Sequence, residues 1–370
     1  MSDEELIYRM AFASVRGMGV DLAQKVLDVI PHEKDFFSMS DKELKEITKS
    51  CSKITEKSYR NNCLLKAEHE LDFIKKNNIQ PRYFKDADFP QRLLHAEDSP
   101  IMLYTVGNCN LNAQHIVSIV GTRRSTEYGR HFCDTFIWDL AEAIPGVVTV
   151  SGLAYGTDIS VHRASLKHQV PTIAVQACGL NKIYPAEHRS DAAEIIHQDG
   201  CIVSDYTSQD DIHRGNFLAR NRIIASLSDC TVVVESAEKG GSLVTANIAQ
   251  SYNKDVFALP GRTSDEYSKG CNRLIQNNQA MLVTCADDLI KAMRWENRKK
   301  NKETTELELF PKLTKEEETI VKHIKEAGDI HINTITEKTG LPVYKVMSTL
   351  VTLDCRGIIL TLPGCRYCMA

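Results

Sequence analysis

"HIVSIVGTRRS", residues 115 to 125, decides the fold. Its first half is a run of β-branched residues with almost no polar alternation, and a glycine and two arginines follow at its end. A strand that is apolar on both faces belongs inside a parallel sheet, because the crossover helices of such a sheet cover both of its sides. The same kind of run recurs downstream in "VVTVSG", "TIAVQAC", "CIVSDY", "CTVVVES" and "DVFALPG". Each except the last, which a longer loop follows, leads through a brief loop into a helical segment. Strands alternating with helices in this way predict an α/β domain built on a doubly wound parallel sheet. The stretch 81–114, with "DFPQRLLHAEDSPIMLYTVGN", reads as an extension packed on that sheet.

The flanks differ from this centre. A chain of 370 residues has room for two or three domains. Residues 1–80 read as an N-terminal helical domain, in which "VRGMGVDLAQKVLDVI" places a Gly-Met-Gly turn, Gly17 to Gly19, ahead of an amphipathic helix. Such a turn resembles a helix-hairpin-helix element, whose amides hold a phosphate; a plain connection in a small SAM-like helical bundle is the alternative. Residues 81–293 form the predicted sheet domain. Residues 294–308, "RWENRKKNKETTELE", are charged and nearly devoid of apolar spacing, as a linker is. Residues 309–370 give three helices and a two-stranded wing, a winged-helix pattern.

Composition narrows the function classes. Hydrophobic residues make up 42% and charged residues 25%, which excludes a disordered chain. The net charge of -4 means that any nucleic-acid binding must come from a local patch. The twelve cysteines are scattered singly, and the one C-x-x-C, Cys365 to Cys368, lacks a second pair at finger spacing, so no metal is expected. The start "MSDEELIYRMAF" lacks a basic segment followed by an apolar one, and no run approaches membrane-spanning length. The expected location is the cytoplasm.

Ligands of an open parallel sheet bind outside the carboxyl ends of its strands. Three glycine-bearing loops fall there. The first, "VGTRRS", offers Gly121, Thr122 and Arg123, with room for a ligand, free helix amides and a planar cation. The second, "SGLAYGTD", offers Ser151, Gly152 and Gly156. The third, "EKGGSLVTA", offers Gly240, Gly241 and Ser242 ahead of a helix. Together they predict a phosphate-binding edge. Neither G-x-G-x-x-G nor G-x-x-x-x-G-K-[ST] occurs, so no nucleotide cofactor is expected. The same edge receives "RGNFLARNR", residues 214–222, a cationic stretch without an acid. Arg214 and Phe217 precede the helix body there. A cation beside an accessible aromatic suits single-stranded nucleic acid, one gripping backbone and the other stacking a base; the alternative for Phe217 is a hydrophobic staple onto the helix. Arg220 shares the buried stripe of that helix with Ile223, Ile224 and Leu227, and Glu235 is its expected ion-pair partner. Asn221 and Arg222 complete the candidate set. No catalytic residue is predicted: neither a G-x-S-x-G elbow nor H-E-x-x-H occurs, and His162 reads as structural.

Taken in order, "SIVGTRRSTEYG", "SGLAYGTDISVH", "GLNKIYP", "NFLARNRIIASLSD", "VVVESAEKGGSLVTANIAQ", "VFALPG" and "SKGCNRLI" resemble the DNA-processing protein A family, DprA, also called Smf. The resemblance spans roughly residues 80 to 293. It implies an extended Rossmann-like domain that dimerises, protection of single-stranded DNA during natural transformation or related recombination, and help in loading the recombinase RecA. By position, Arg123 matches the family's phosphate-contacting arginine, and Arg214 stands where relatives carry a basic residue three before an aromatic, here Phe217. Gly152, Gly156, Gly240 and Ser242 match the other binding loops. Thr157 departs from the usual isoleucine, Gly240 or Gly241 occupies a place often held by serine, and Gln279 precedes Ala280 where glycine is common.

Two other functions share parts of this pattern. Rossmann-like phosphoribohydrolases share the sheet and its glycine loops, but "KGGSLVTANIAQ" lacks the proline, the second Gly-Thr step and the acid of P-G-G-x-G-T-x-x-E. A transcription regulator acting through the winged helix would need more cations than Lys345 and Arg356 on its recognition helix.

Overall fold

Every one of the apolar runs becomes a strand of a single nine-stranded sheet. The computed structural model describes residues 2–48, 56–96, 98–295 and 313–370. Five helices come first: α1 (Asp3–Ala13), α2 (Val20–Leu27), α3 (Glu33–Ser38), α4 (Asp41–Thr48) and α5 (Lys57–Lys76). The Ser2 side chain caps α1 by accepting from the Glu5 amide, and three acids in the first turn face the positive helix end. Two strands follow, β1 (Gln80–Tyr83) and β2 (Met102–Gly107). They pair antiparallel with each other, and β2 pairs antiparallel with the edge of the parallel sheet. The extension expected over 81–114 is thus part of the sheet itself.

The parallel portion alternates as the sequence predicts. Its order along the chain is β3 (Ile116–Val120), α6 (Glu127–Ala143), β4 (Val148–Ser151), α7 (Thr157–Lys167), β5 (Thr172–Val175), α8 (Arg189–His197), β6 (Cys201–Ser204), α9 (Arg214–Leu227), β7 (Cys230–Val233), α10 (Gly241–Ser251) and β8 (Asp255–Ala258). Then come α11 (Lys269–Gln276), the two-residue strand β9 (Met281–Leu282) and α12 (Ala286–Met293). The spatial order is β1-β2-β6-β5-β4-β3-β7-β8-β9. The chain winds outward from β3 through β4 and β5 to β6, then crosses back to lay β7, β8 and β9 on its other side. This is a doubly wound sheet with its switch point between β3 and β7.

Two buried layers cover the sheet. One face packs on α6 and α12, with Phe136, Ile137 and Leu289 against Val117, Val232 and Phe257. The other forms a cluster in which Phe12, Phe36 and Leu71 of the N-terminal helices join Leu103, Ile173 and Ile223. The helices read from residues 1–80 therefore share one continuous core with the sheet. A polar clamp adds to it: the Glu70 carboxylate, 2% exposed, accepts from the Ser208 amide at 3.0 Å and from its hydroxyl at 2.5 Å.

The C-terminal residues build α13 (Lys315–Ala327), β10 (Asp329–His331), α14 (Ile332–Thr339), α15 (Val343–Cys355), β11 (Ile359–Leu362) and β12 (Arg366–Met369). The strands form an antiparallel sheet in the order β10-β12-β11, over a core that includes Ile320, Ile324, Ile335, Val346 and Leu350. The order along the chain is α13-β10-α14-α15-β11-β12, so a third strand, β10, joins the three helices and two strands expected from sequence. Of the charged stretch 294–308, Arg294 ends α12 in a left-handed conformation, and residues 296–308 lie outside the described residues.

Glu70→Ala leaves the Ser208 amide, in a half-buried place, without its acceptor. The expected cost is about 1–3 kcal/mol of folding stability, read from the urea midpoint at constant m-value.

Candidate nucleic-acid interface

Two loops leave the switch point in opposite directions, one after β3 and one after β7, and the backbone stitches them together. The Thr122 amide donates to the Glu235 carbonyl at 2.7 Å. The Glu235 carboxylate, 3% exposed, accepts from the Thr126 amide at 2.8 Å and the Thr126 hydroxyl at 2.5 Å. Thr126 is itself the N-cap of α6. Glu235 is thus a brace that fixes the start of α6, and not the partner of Arg220 that spacing suggests.

Arg220 faces Asp158 instead. Burial pushes the Asp158 carboxyl up, while the Arg220 charge and a hydrogen bond from the Ala154 amide oppose that shift. Burial also disfavours the charge on Arg220, and Asp158 is the main group sustaining it. Arg220 is 4% exposed, and its Nε and Nη1 have no hydrogen-bond partner among the described residues. A buried guanidinium with two unsatisfied nitrogens is costly unless something anionic completes it.

These groups line one pocket of about 370 Å³. Gly121, Thr122 and Arg123 form one wall, Phe217, Arg220 and Asn221 a second, and Gly240, Gly241 and Ser242 a third. The start of α10 opens on the pocket: its N-cap is Gly240, which has no side chain to satisfy the first amides. Ser242 is buried with its hydroxyl unpartnered. The pocket therefore combines a fixed guanidinium, an exposed guanidinium, free helix amides and a hydroxyl, the donor set of an anion site. Among the described residues no three His, Cys, Asp or Glu side chains gather to hold a metal ion.

Several expected contacts turn out to be supports. Ser151 is buried and donates to the Ile119 carbonyl at 2.7 Å, tying β4 to β3. Gly152 makes room for Arg220: a Cβ there would lie 1.5 Å from Nη1. Gly156 has φ +75°, and a Cβ on it would meet the Thr122 carbonyl at 2.3 Å. Next to it, the Thr157 amide and hydroxyl donate to that same carbonyl at 3.0 and 3.3 Å. The threonine that departs from the family pattern thus pins the Gly-Thr-Arg loop. Arg222 also leaves the candidate set. Its guanidinium is held by the Asp205 carboxylate and the Asp98 carbonyl, so the helical turn after Arg220 points it away from the pocket.

Helix α9 begins at Arg214, so Arg214 and Phe217 sit in its first turn and not ahead of the helix. Arg214 is exposed. The Arg123 guanidinium lies 5.5 Å from the centroid of the Phe217 ring, and the Tyr184 ring lies 5.3 Å from it on another side. Sequence reasoning passed over Tyr184, Asp158 and Lys239, although "GLNKIYP" and "GTD" carried two of them. The motif "SKGCNRLI" has a supporting role: a Cβ on Gly270 would lie 2.5 Å from the Ala237 carbonyl, so the glycine lets α11 brace the loop after β7.

Comparison with known proteins follows the same boundaries. The family model described as DNA recombination-mediator protein A matches residues 80–294. The chain belongs to that family. Protein Smf of Escherichia coli K12 is 33% identical over 296 residues, 75% of each chain. DNA processing protein DprA of Streptococcus pneumoniae R6 is 36% identical over 205 residues, 55% of this chain and 71% of the relative. The crystal structure of DprA from Streptococcus pneumoniae superposes with a TM-score of 0.64 at 28% identity, covering 79% of this chain and 98% of that one. A DprA structure from Helicobacter pylori, described as showing a single-stranded DNA binding mode, gives 0.52 at 33% identity, covering 58% and 96%. The recombination-mediator family thus coincides with the sheet that carries the pocket.

Gly152→Ala should displace the Arg220 guanidinium and destabilise the fold by about 1–3 kcal/mol through overpacking. At Gly241, where a Cβ meets nothing within 4 Å, the change to alanine should shift stability by no more than about 0.5 kcal/mol. Urea titrations of the two variants compare these outcomes.

Proposed function

We propose that the protein binds single-stranded DNA at the switch-point pocket and acts as a recombination mediator that protects such strands. The carrying observation is the meeting of Arg220, with two buried unpartnered nitrogens, the open start of α10, and Arg123 over Phe217. Phosphate fits the donors, and the ring beside them fits an unstacked base. Neither contact distinguishes one base from another, so little sequence preference is expected. The structure of the Helicobacter relative supports the choice of a single strand.

Within this reading Arg123, Arg214, Arg220, Asn221 and the amides of Gly240 to Ser242 grip backbone, while Phe217 stacks. Following the family, the recombinase RecA is the proposed protein partner and a homodimer through the sheet domain the proposed assembly. We also propose the division into residues 1–80, whose helices share the core of the sheet, 81–293, a 294–308 linker and 309–370, in a cytoplasmic protein. The thiols fit a reducing compartment, since those of Cys133, Cys201, Cys230 and Cys271 are buried and unpaired. No described helix is long and apolar enough to cross a membrane.

The winged-helix reader of duplex DNA is less supported. Lys345 is paired with Glu316 at 2.5 Å and Arg356 with Glu317 at 2.7 Å, while α15 presents Val343, Tyr344, Met347 and Val351 to solvent. Such a face suits protein contact more than phosphate. We propose no chemical step. Glu235 is engaged by α6, and His162 is buried, hydrogen-bonded to Thr172 and pushed down to about 3 by burial, hence neutral. Release of free base from nucleoside monophosphates would contradict this.

Salt titrations of single-strand affinity separate the two kinds of contact. Arg123→Ala should weaken binding and reduce the slope of log K against log salt by about 0.7, the effect of one lost phosphate contact. Phe217→Ala should cost about 1–3 kcal/mol with the slope nearly unchanged. A folded Phe217→Ala protein of unaltered affinity removes the stacking role, and a binding loss that tracks the fraction unfolded makes the ring a helix staple.

A further inference from the structure

Two aromatic rings outside the pocket lead away from Phe217 along the same edge of the sheet. Tyr184, between β5 and α8, is 46% exposed, and Tyr155, between β4 and α7, is 43% exposed. The Tyr184 ring meets Phe217 at 5.3 Å with the planes 59° apart. Tyr155 stands edge-on to His188 at 5.1 Å, and His188 is buried and held by a 2.8 Å hydrogen bond between Nδ1 and the Leu153 carbonyl. Tyr155 therefore has a fixed base under it. Its hydroxyl donates to the Glu187 carboxylate at 2.9 Å, and that bond, followed by burial, pushes the Tyr155 phenol up. That bond ties Tyr155 to the turn that also carries Tyr184, so half-buried Phe217 and exposed Tyr184 and Tyr155 lie along one edge.

Charge gives the track a direction. At its Phe217 end lies the Arg123 guanidinium. At its Tyr155 end lies the exposed Glu187 carboxylate, whose hydrogen bonds hold it below the usual carboxylate range and so keep it ionised. A phosphate is attracted at the first end and repelled at the second. A neutral flat base is tolerated at both. Fixed aromatic faces of this kind stack unpaired bases without regard to sequence, and bases in a duplex have their faces already covered.

We propose that Tyr184 and Tyr155 are the second and third base-stacking positions of the site. A single strand then runs with its backbone over Arg123 and the pocket, laying successive bases on Phe217, Tyr184 and Tyr155 while Glu187 keeps the phosphates from crossing the track. The inference rests on the single-strand reading of the pocket.

The test uses the full chain and oligothymidylates graded from about two to about twelve nucleotides. Tyr184→Ala should lower affinity on the order of tenfold once the strand is long enough to pass Phe217, and Tyr155→Ala should do so only at a greater length. Tyr184→Phe and Tyr155→Phe, which keep the rings, should retain affinity. In the unaltered protein, a strand carrying 5-iododeoxyuridine at successive positions should photocross-link to Tyr184 and then to Tyr155, a readout that holds even if an alanine variant fails to fold. Equal losses at every length would make the tyrosines mere props for Phe217 and overturn the proposal. So would unchanged affinity in both alanine variants while Arg123→Ala weakens binding, or adducts on other residues alone. If the unaltered protein bound no single strand, the reading of the pocket itself would fall.

Discussion

A guanidinium sealed from water with two nitrogens unpartnered is the constraint around which this site is organised. Arg220 reaches its place only because Gly152 has no side chain, and it keeps its charge because Asp158 faces it. Asp158 offsets part of the desolvation it suffers, and an anion in the pocket would offset more. Around it the chain spends backbone rather than side chain: the Thr122–Glu235 stitch and the open first turn of α10 sit at the carboxyl ends of β3 and β7, and the turn with Gly152 and Gly156 follows β4. The sheet supplies the crevice, since only at a switch point do neighbouring loops diverge.

A second layer of interactions holds the donors still. Glu235 fixes the start of α6, Thr157 fixes the Thr122 carbonyl, and Gly270 lets α11 press against the loop after β7. None of these residues needs to touch a ligand, yet each sets the position of a group that does. The N-terminal helices share the core beneath the sheet, with Phe12 and Leu71 in the same buried cluster as Ile223 of α9. The helix carrying Arg220 therefore shares its buried cluster with residues more than a hundred positions away in sequence.

The sheet was legible because its strands are apolar on both faces, a pattern that only helices on both sides explain. Runs such as "HIVSIV" and "CTVVVES" mark β3 and β7 directly. The antiparallel β1 and β2 were not legible as strands: Gln80–Tyr83 mixes exposed and buried positions, and its order comes from pairing with β2. The pocket loops could be named from their glycines. Partner choice could not, because Arg220 and Arg222 stand two apart on one helix and only the fold shows that one faces Asp158 and the other Asp205. The same holds for Glu235, whose place after a strand fits an ion pair with Arg220 as well as the hold on Thr126, the N-cap of α6, that it makes. Tyr155 and Tyr184 each look unremarkable in sequence; two separate loops bring them to the edge where the first turn of α9 carries Phe217.

Amide hydrogen exchange of the full chain, with and without an oligothymidylate, measures the central claim most directly. Binding at the switch point predicts protection of the backbone in 121–125, in the first turn of α9 and across 236–243, with residues 313–370 unchanged. Protection confined to the C-terminal unit, with those loops exchanging as in the free protein, would contradict the account.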